Sequence, residues 1–85
     1  MTKFNWELYA WVARGSQRKK IMQLMTQPKM PTELQKEAKL ALSDVSRVLI
    51  SFVDKGLAEC LTPKHKIGRV YQLTASGEAI RKQLI

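Results

Sequence analysis

The chain has 85 residues, with 15 Lys and Arg against 7 Asp and Glu, a formal net charge of +8. That length bounds it to one small domain with one modest core, which a second subunit or a very regular helical core would help to hold. The charge points to a polyanionic partner, nucleic acid first and an anionic membrane surface second, because a surface built for solubility alone mixes the two signs more evenly. Globular proportions of aliphatic, aromatic and polar residues argue against disorder. The lone Cys60 excludes an internal disulfide and fits a reducing compartment. No apolar run approaches membrane-spanning length and the start carries no signal-peptide core, so no membrane association and a cytoplasmic location are expected.

In chain order, residues 5–13 read as a short helix, with Asn5 as its cap and Gly15 closing it. A strand is the alternative, since aromatics and valine also favour sheet. On a helical wheel Phe4, Leu8, Trp11 and Val12 fall on one side, and Trp6, Tyr9 and Ala13 on another. A peripheral helix of a monomer needs only one apolar stripe. The second stripe therefore predicts that helix 5–14 also serves a homodimer, with Trp6, Tyr9 and Trp11 as its aromatic anchors. The alternative is that both stripes cover a single small core.

Ser16 is expected to cap a second helix, Gln17 to about Thr26, burying Ile21, Leu24 and Met25. Arg18, Lys19 and Lys20 fall in its first turns, where the helix dipole disfavours cations. A nearby phosphate, a solvated face or a salt bridge to Glu7 would relieve that. Residues 27–31 break the helix and are long enough only for a loop or a one-ladder strand. Pro31 suits the first position of a third helix, 31–38, with Glu33 in its first turn and Leu34 and Ala38 buried.

After a turn at 39–42 that lacks glycine comes the stretch around which the chain is organised. Apolar Val45, Val48, Leu49, Phe52 and Val53 repeat at helical spacing, with Ser43 as the expected N-cap, Asp44 at the positive end and Gly56 as the stop. Leu49 and Phe52 should be buried against the second helix and the hairpin that follows. The other face carries Ser43, Asp44, Ser46, Arg47 and Ser51 with Ile50 among them. Short or forked hydrogen-bonders in place of Glu and Lys pairs mark a face made to touch something. Two short helices joined by a tight turn are the helix-turn-helix signature. Residues 57–61 and 69–73 are strand-like around a basic tip, and Thr74 caps a last helix with Ile80 and Leu84 inward.

The expected fold is α+β, mainly α, a winged helix-turn-helix: a three-helix core plus an N-terminal helix, a two-stranded wing hairpin and a C-terminal helix, all in one domain spanning 1–85. Residues 42–49 followed by Asp54-Lys55-Gly56-Leu57-Ala58-Glu59 resemble the recognition helix and first wing strand of ArsR/MarR-like winged-helix regulators. Gly68-Arg69-Val70-Tyr71-Gln72-Leu73-Thr74-Ala75-Ser76-Gly77 resembles their wing-return pattern, and the likeness covers roughly residues 16–80.

The resemblance implies that the helix from Ser43 enters the major groove while the hairpin flanks it on the backbone or minor groove. A major groove admits one α-helix, which agrees. Arg47 would bridge guanine O6 and N7 or clamp a phosphate, the two being equally open. Asp44 would accept from a cytosine amine, although a simple helix N-terminal charge is the favoured reading. Ile50 would meet a thymine methyl, or a subunit contact, or solvent. Ser43, Ser46 and Ser51 are candidates for phosphate or base contacts. Lys64, Lys66 and Arg69 form the wing's cationic set, with no acid between residues 60 and 77. Lys29 and Thr32 are candidates for phosphate contacts near the start of the third helix, and Lys36 and Lys39 either add to these or are merely solvated.

His65 is isolated from Cys60 and from any acid pair, so no metal site is expected, unlike ArsR-like relatives that sense metals through cysteine pairs. Cys60 reads as a small core or edge residue. No Gly-rich phosphate loop, HExxH or paired histidine and nucleophile is present, so neither an enzyme nor a cofactor is expected, and no small-molecule ligand or sensory domain is evident. The leading expectation is a sequence-specific regulator of transcription that binds double-stranded DNA. The alternatives are a winged-helix protein-interaction module and a non-specific nucleic-acid binder.

Overall fold

The computed structural model describes residues 4–84. Helix α1 (Trp6–Arg14) is followed by α2 (Ser16–Leu24), α3 (Pro31–Ala38) and α4 (Leu42–Asp54), then strands β1 (Ala58–Cys60) and β2 (Tyr71–Leu73), and α5 (Ala75–Gln83). This is the mainly helical winged helix-turn-helix order that the sequence predicts.

The strand alternative for the first segment falls away. Asn5 Oδ1 accepts from the Leu8 amide at 3.0 Å, so the cap is made and α1 starts where the sequence places it. The second cap is not made. Ser16 is already helical, and Gly15, the single residue between α1 and α2, holds the N-cap position without a side chain to offer. α2 ends at Leu24, two residues short of the expected end; Ile21 and, just past the helix, Met25 are buried as expected, Met22 joins them unpredicted, and Leu24 is only half-buried.

In α3 the Glu33 carboxylate accepts from the Met30 amide at 2.8 Å, closing the first turn behind Pro31. The turn without glycine is achieved by Lys39, which adopts φ 57, a left-handed conformation. That costs a non-glycine residue about 1–2 kcal/mol. Its amide and that of Leu40 both donate to the Gln35 carbonyl, at 2.9 and 3.3 Å, closing the end of α3.

Helix α4 begins two residues earlier than predicted. The Ala41 carbonyl accepts from Asp44 and Val45, both at 3.1 Å, so Ala41 is the N-cap and Ser43 lies inside the first turn. Val45, Val48, Leu49 and Phe52 form the buried face, whereas Val53, expected there too, is 38% exposed because the stripe is narrower than the pattern implied. At the other end the Leu57 amide donates to Phe52 and that of Gly56 to Val53, at 2.8 and 3.0 Å, with Gly56 at φ 74. Those two bonds are a Schellman cap, and only a left-handed residue at position 56 allows them.

β1 and β2 pair antiparallel, with Ala58 opposite Leu73 and Cys60 opposite Tyr71. They are shorter than the predicted runs because the Thr62 hydroxyl takes the Val70 amide at 3.0 Å and diverts the ladder into the wing. Lys29 adds the one-ladder strand: its amide and carbonyl each bond Tyr71 at 2.9 Å. Thr74 caps α5 as predicted, its hydroxyl accepting from Gly77 at 3.2 Å. Gly77 leaves room for this contact, since a Cβ there would lie 2.0 Å from the Leu57 carbonyl oxygen. Around Phe52, the core gathers Val12, Ile21, Leu34, Leu49 and Ile80 from all parts of the chain.

Candidate nucleic-acid interface

The packing that buries one face of α4 turns the other outward. Ser43 and Arg47 are exposed, Ile50 is 56% exposed, and Ser46 is half-buried. The Arg47 side chain is 76% exposed, with Asp44 Oδ1 3.7 Å from its Nη1. Asp44 itself is half-buried and its other oxygen accepts from Gln17 Nε2 on α2 at 3.4 Å. Asp44 therefore sits as a first-turn charge tied to the neighbouring helix. Ser51 donates its hydroxyl to the Arg47 carbonyl at 3.0 Å, so it is engaged with its own helix.

Between the start of α2 and α4 lies an open cavity of about 340 Å³, lined by Ser16, Gln17 and Arg18 on one side and Arg47, Val48 and Ser51 on the other. For Arg18 the sequence leaves a nearby phosphate open, whereas nothing in it marks Gln17 as a member of this surface. The unfavourable cations of the first turn are the signal for Arg18. Arg18 is not held by Glu7. Its guanidinium lies 4.4 Å from the centroid of the Trp11 ring, and its Nε is buried without a hydrogen-bond partner among the described residues.

Lys64, Lys66 and Arg69 are all exposed on the wing. Arg69 Nε donates to the His65 carbonyl at 2.7 Å, which braces the loop, while Lys64 and Lys66 form no ion pair among the described residues. Thr32 is exposed in the first turn of α3, and Lys36 and Lys39 are exposed as well. Lys29 is the correction here. It is 7% exposed and its Nζ lies 2.6 Å from Glu37 Oε2, so it ties the base of the wing to α3 and is not available to a phosphate.

On α1 both stripes reach the core: Phe4, Leu8 and Trp11 of one and Tyr9 and Ala13 of the other pack against it, while Trp6 does not. Trp11 is half-buried and packs edge-on to Phe52 at 6.0 Å, with Arg18 on its ring and the Lys55 ammonium 4.9 Å from it, so it is engaged within the chain. Trp6 is 64% exposed and Tyr9 half-buried, joined edge-on at 5.7 Å. A second cavity of about 330 Å³, between the start of α1, Lys55 and α5, has no counterpart among the sequence signals. Among the described residues no group of three or more His, Cys, Asp or Glu is placed to hold a metal, and no helix is long and apolar enough to cross a membrane.

No family model and no curated protein sequence matches the chain. Solved structures do. The chain is similar to the reduced form of MarR from E. coli, with 29% identity and a TM-score of 0.75, over 91% of this chain and 59% of that one. A mutant E. coli MarR complexed with operator DNA matches at 28% identity and TM-score 0.71, over 92% and 58%. NadR in complex with 4-hydroxyphenylacetate shares the fold, at 21% identity and TM-score 0.72 over 92% and 57%. The chain thus spans less than two thirds of the length of these proteins. Element order, the paired wing and these likenesses together make it a winged helix-turn-helix domain, similar in fold to MarR from E. coli.

Proposed function

We propose that the domain is a sequence-specific transcription regulator that binds double-stranded DNA, with α4 in the major groove and the wing on the backbone or minor groove. The observation that carries this is the outward face of α4: Ser43, Arg47 and Ile50 are exposed and Ser46 is half-buried beside them, in a chain of net charge +8. Arg47, its side chain 76% exposed, pairs with Asp44 at a long 3.7 Å, and surface pairs contribute about 0–1 kcal/mol, so exchange for a guanine edge or a phosphate is inexpensive. Asp44 then acts by orienting Arg47, and Ser51, bonded to its own helix, contributes least. Lys64, Lys66 and Arg69 neutralise phosphates beside the groove, and Thr32 offers a hydroxyl at the start of α3. Likeness to solved transcription regulators, one of them with operator DNA, supports the same reading.

The regulator acts as a non-enzymatic cytoplasmic protein and as a homodimer through α1, with Trp6 and Tyr9 as anchors and Trp11 holding α1 against its own domain. The exposed Trp6 ring, in edge contact with Phe4 at 4.5 Å, supports that part. A two-fold dimer predicts a pseudo-palindromic operator with half-sites about one turn apart. Selection of bound duplexes from a random pool at physiological salt tests the whole. An enriched palindromic motif supports it, uniform binding points to a non-specific binder, and no binding points to a protein-interaction module. Light scattering at micromolar concentration tests the dimer, which Trp6→Ala should break.

A further inference from the structure

The wing carries more than charge. Ile67 is 91% exposed at its tip, the most exposed of the large hydrophobic residues described. Around it stand Lys64, Lys66 and Arg69, all exposed, so any surface that meets this tip must be anionic. A phosphate ridge has no use for an aliphatic side chain. A nucleic acid offers apolar surface only beyond its phosphates, along the sugar walls and between the stacked bases.

The tip is also braced. The Leu61 amide donates to Val70 at 2.7 Å, that of His65 to the Thr62 carbonyl at 3.1 Å, and Arg69 Nε to the His65 carbonyl at 2.7 Å. Gly68, at φ 75, supplies the left-handed residue that turns the chain immediately after Ile67. Ile67 is β-branched, so its side chain is stiff at χ1 and loses little freedom on insertion. A stiff aliphatic on a braced, cationic loop has the make-up of the wedges that architectural proteins push between base steps from the minor groove.

We propose, on the DNA-binding reading above, that Ile67 is an apolar wedge that enters the minor groove beside the α4 site, partly unstacks one base step and kinks the duplex. The step it takes is a pyrimidine–purine one, TA or CA/TG, because these unstack most readily.

The test uses a duplex recovered from the random-pool selection, labelled at its two ends for energy transfer and carrying 2-aminopurine at the steps flanking the α4 site. Binding of the parent protein should shorten the end-to-end distance, as a kink of about 20–90° requires, and raise 2-aminopurine fluorescence. Ile67→Ala should still bind but lose both signals, and Ile67→Leu should keep them. Lys64→Ala with Lys66→Ala should bind more weakly yet give both signals at saturation. Removal of a side chain so exposed leaves the melting temperature unchanged, which controls for folding. A parent complex that binds without bending, or an Ile67→Ala protein that bends like the parent, overturns the wedge and leaves the DNA-binding reading standing. Binding to no duplex overturns both. Sedimentation with phosphatidylserine vesicles that depends on Ile67, with no change in energy transfer, would overturn the wedge in favour of a membrane contact.

Discussion

Lys29 and Glu37 allow a test of how the wing is fixed to the helix-turn-helix. Lys29 is 7% exposed, and among the described residues its Nζ has one partner, Glu37 Oε2 at 2.6 Å, whose side chain is 40% exposed. Glu37→Ala leaves a buried ammonium unpaired, which for a fully buried pair costs about 3–5 kcal/mol. Water reaches Glu37 and therefore part of the ammonium, so about 2 kcal/mol is expected here, a drop of roughly 8–16 °C in melting temperature for a domain of this size. Lys29→Met keeps both backbone bonds to Tyr71 and replaces the charge by an apolar chain of similar length. It should be neutral to within about 1 kcal/mol, and the double variant should recover most of what Glu37→Ala loses. Urea and thermal unfolding followed by circular dichroism measure all three. If Lys29→Met is as damaging as Glu37→Ala, or the two losses add, the ammonium is not the buried charge that this account requires.

Arg47→Ala should weaken binding to the selected duplex by about 1–3 kcal/mol and relax one base position; equal loss on cognate and random DNA in gel-shift titrations would make Arg47 a phosphate clamp only. Lys64→Ala with Lys66→Ala should weaken binding to all duplexes and reduce the slope of log affinity against log salt by about 1.8, or 0.9 for each lost phosphate contact. Gly77→Ala should destabilise by several kcal/mol, since its Cβ would sit 2.0 Å from the Leu57 backbone oxygen; about 2 kcal/mol or less in urea unfolding would mean that α5 moves away at little cost.

What the sequence made legible was what local chemistry decides. The 3.6 period of α4, the Pro31 start of α3, the Asn5 and Thr74 caps and the Gly56 stop each depend on residues within a turn of one another. Gly77 was visible as part of a motif, but its reason lies in the Leu57 carbonyl, which only the folded chain brings near. Lys29 was misjudged for the same kind of reason. Its charge reads as surface, while its backbone is claimed by Tyr71 and its ammonium by Glu37. At the candidate interface, Arg47 and the wing lysines were legible because exposure follows from the period and from the basic tip. Gln17 was not, because its bond to Asp44 spans 27 positions.

The two misplaced caps lead to the last prediction. Ser16 and Ser43 have the composition of caps but lie one and two residues past their N-cap positions, which Gly15 and Ala41 occupy without a side-chain bond. Asn5 and Thr74, at the helices away from the α4 face, do make theirs. Exchange of a working cap for alanine costs about 1 kcal/mol, so Asn5→Ala and Thr74→Ala should each lower the melting temperature by roughly 4–8 °C. Thr74→Ala should be the worse, because its hydroxyl also donates to the Gly56 carbonyl at 2.7 Å. Ser43→Ala and Ser16→Ala, exposed and uncommitted, should stay within about 0.5 kcal/mol of the parent. Local rules tend to fail where a protein keeps groups free for a partner, and both serines stand on the two helices that flank the Arg18 and Arg47 cavity. Their variants should therefore be silent in unfolding and visible in DNA titration. A Ser43→Ala protein that melts as low as Thr74→Ala would show that Ser43 caps α4 after all.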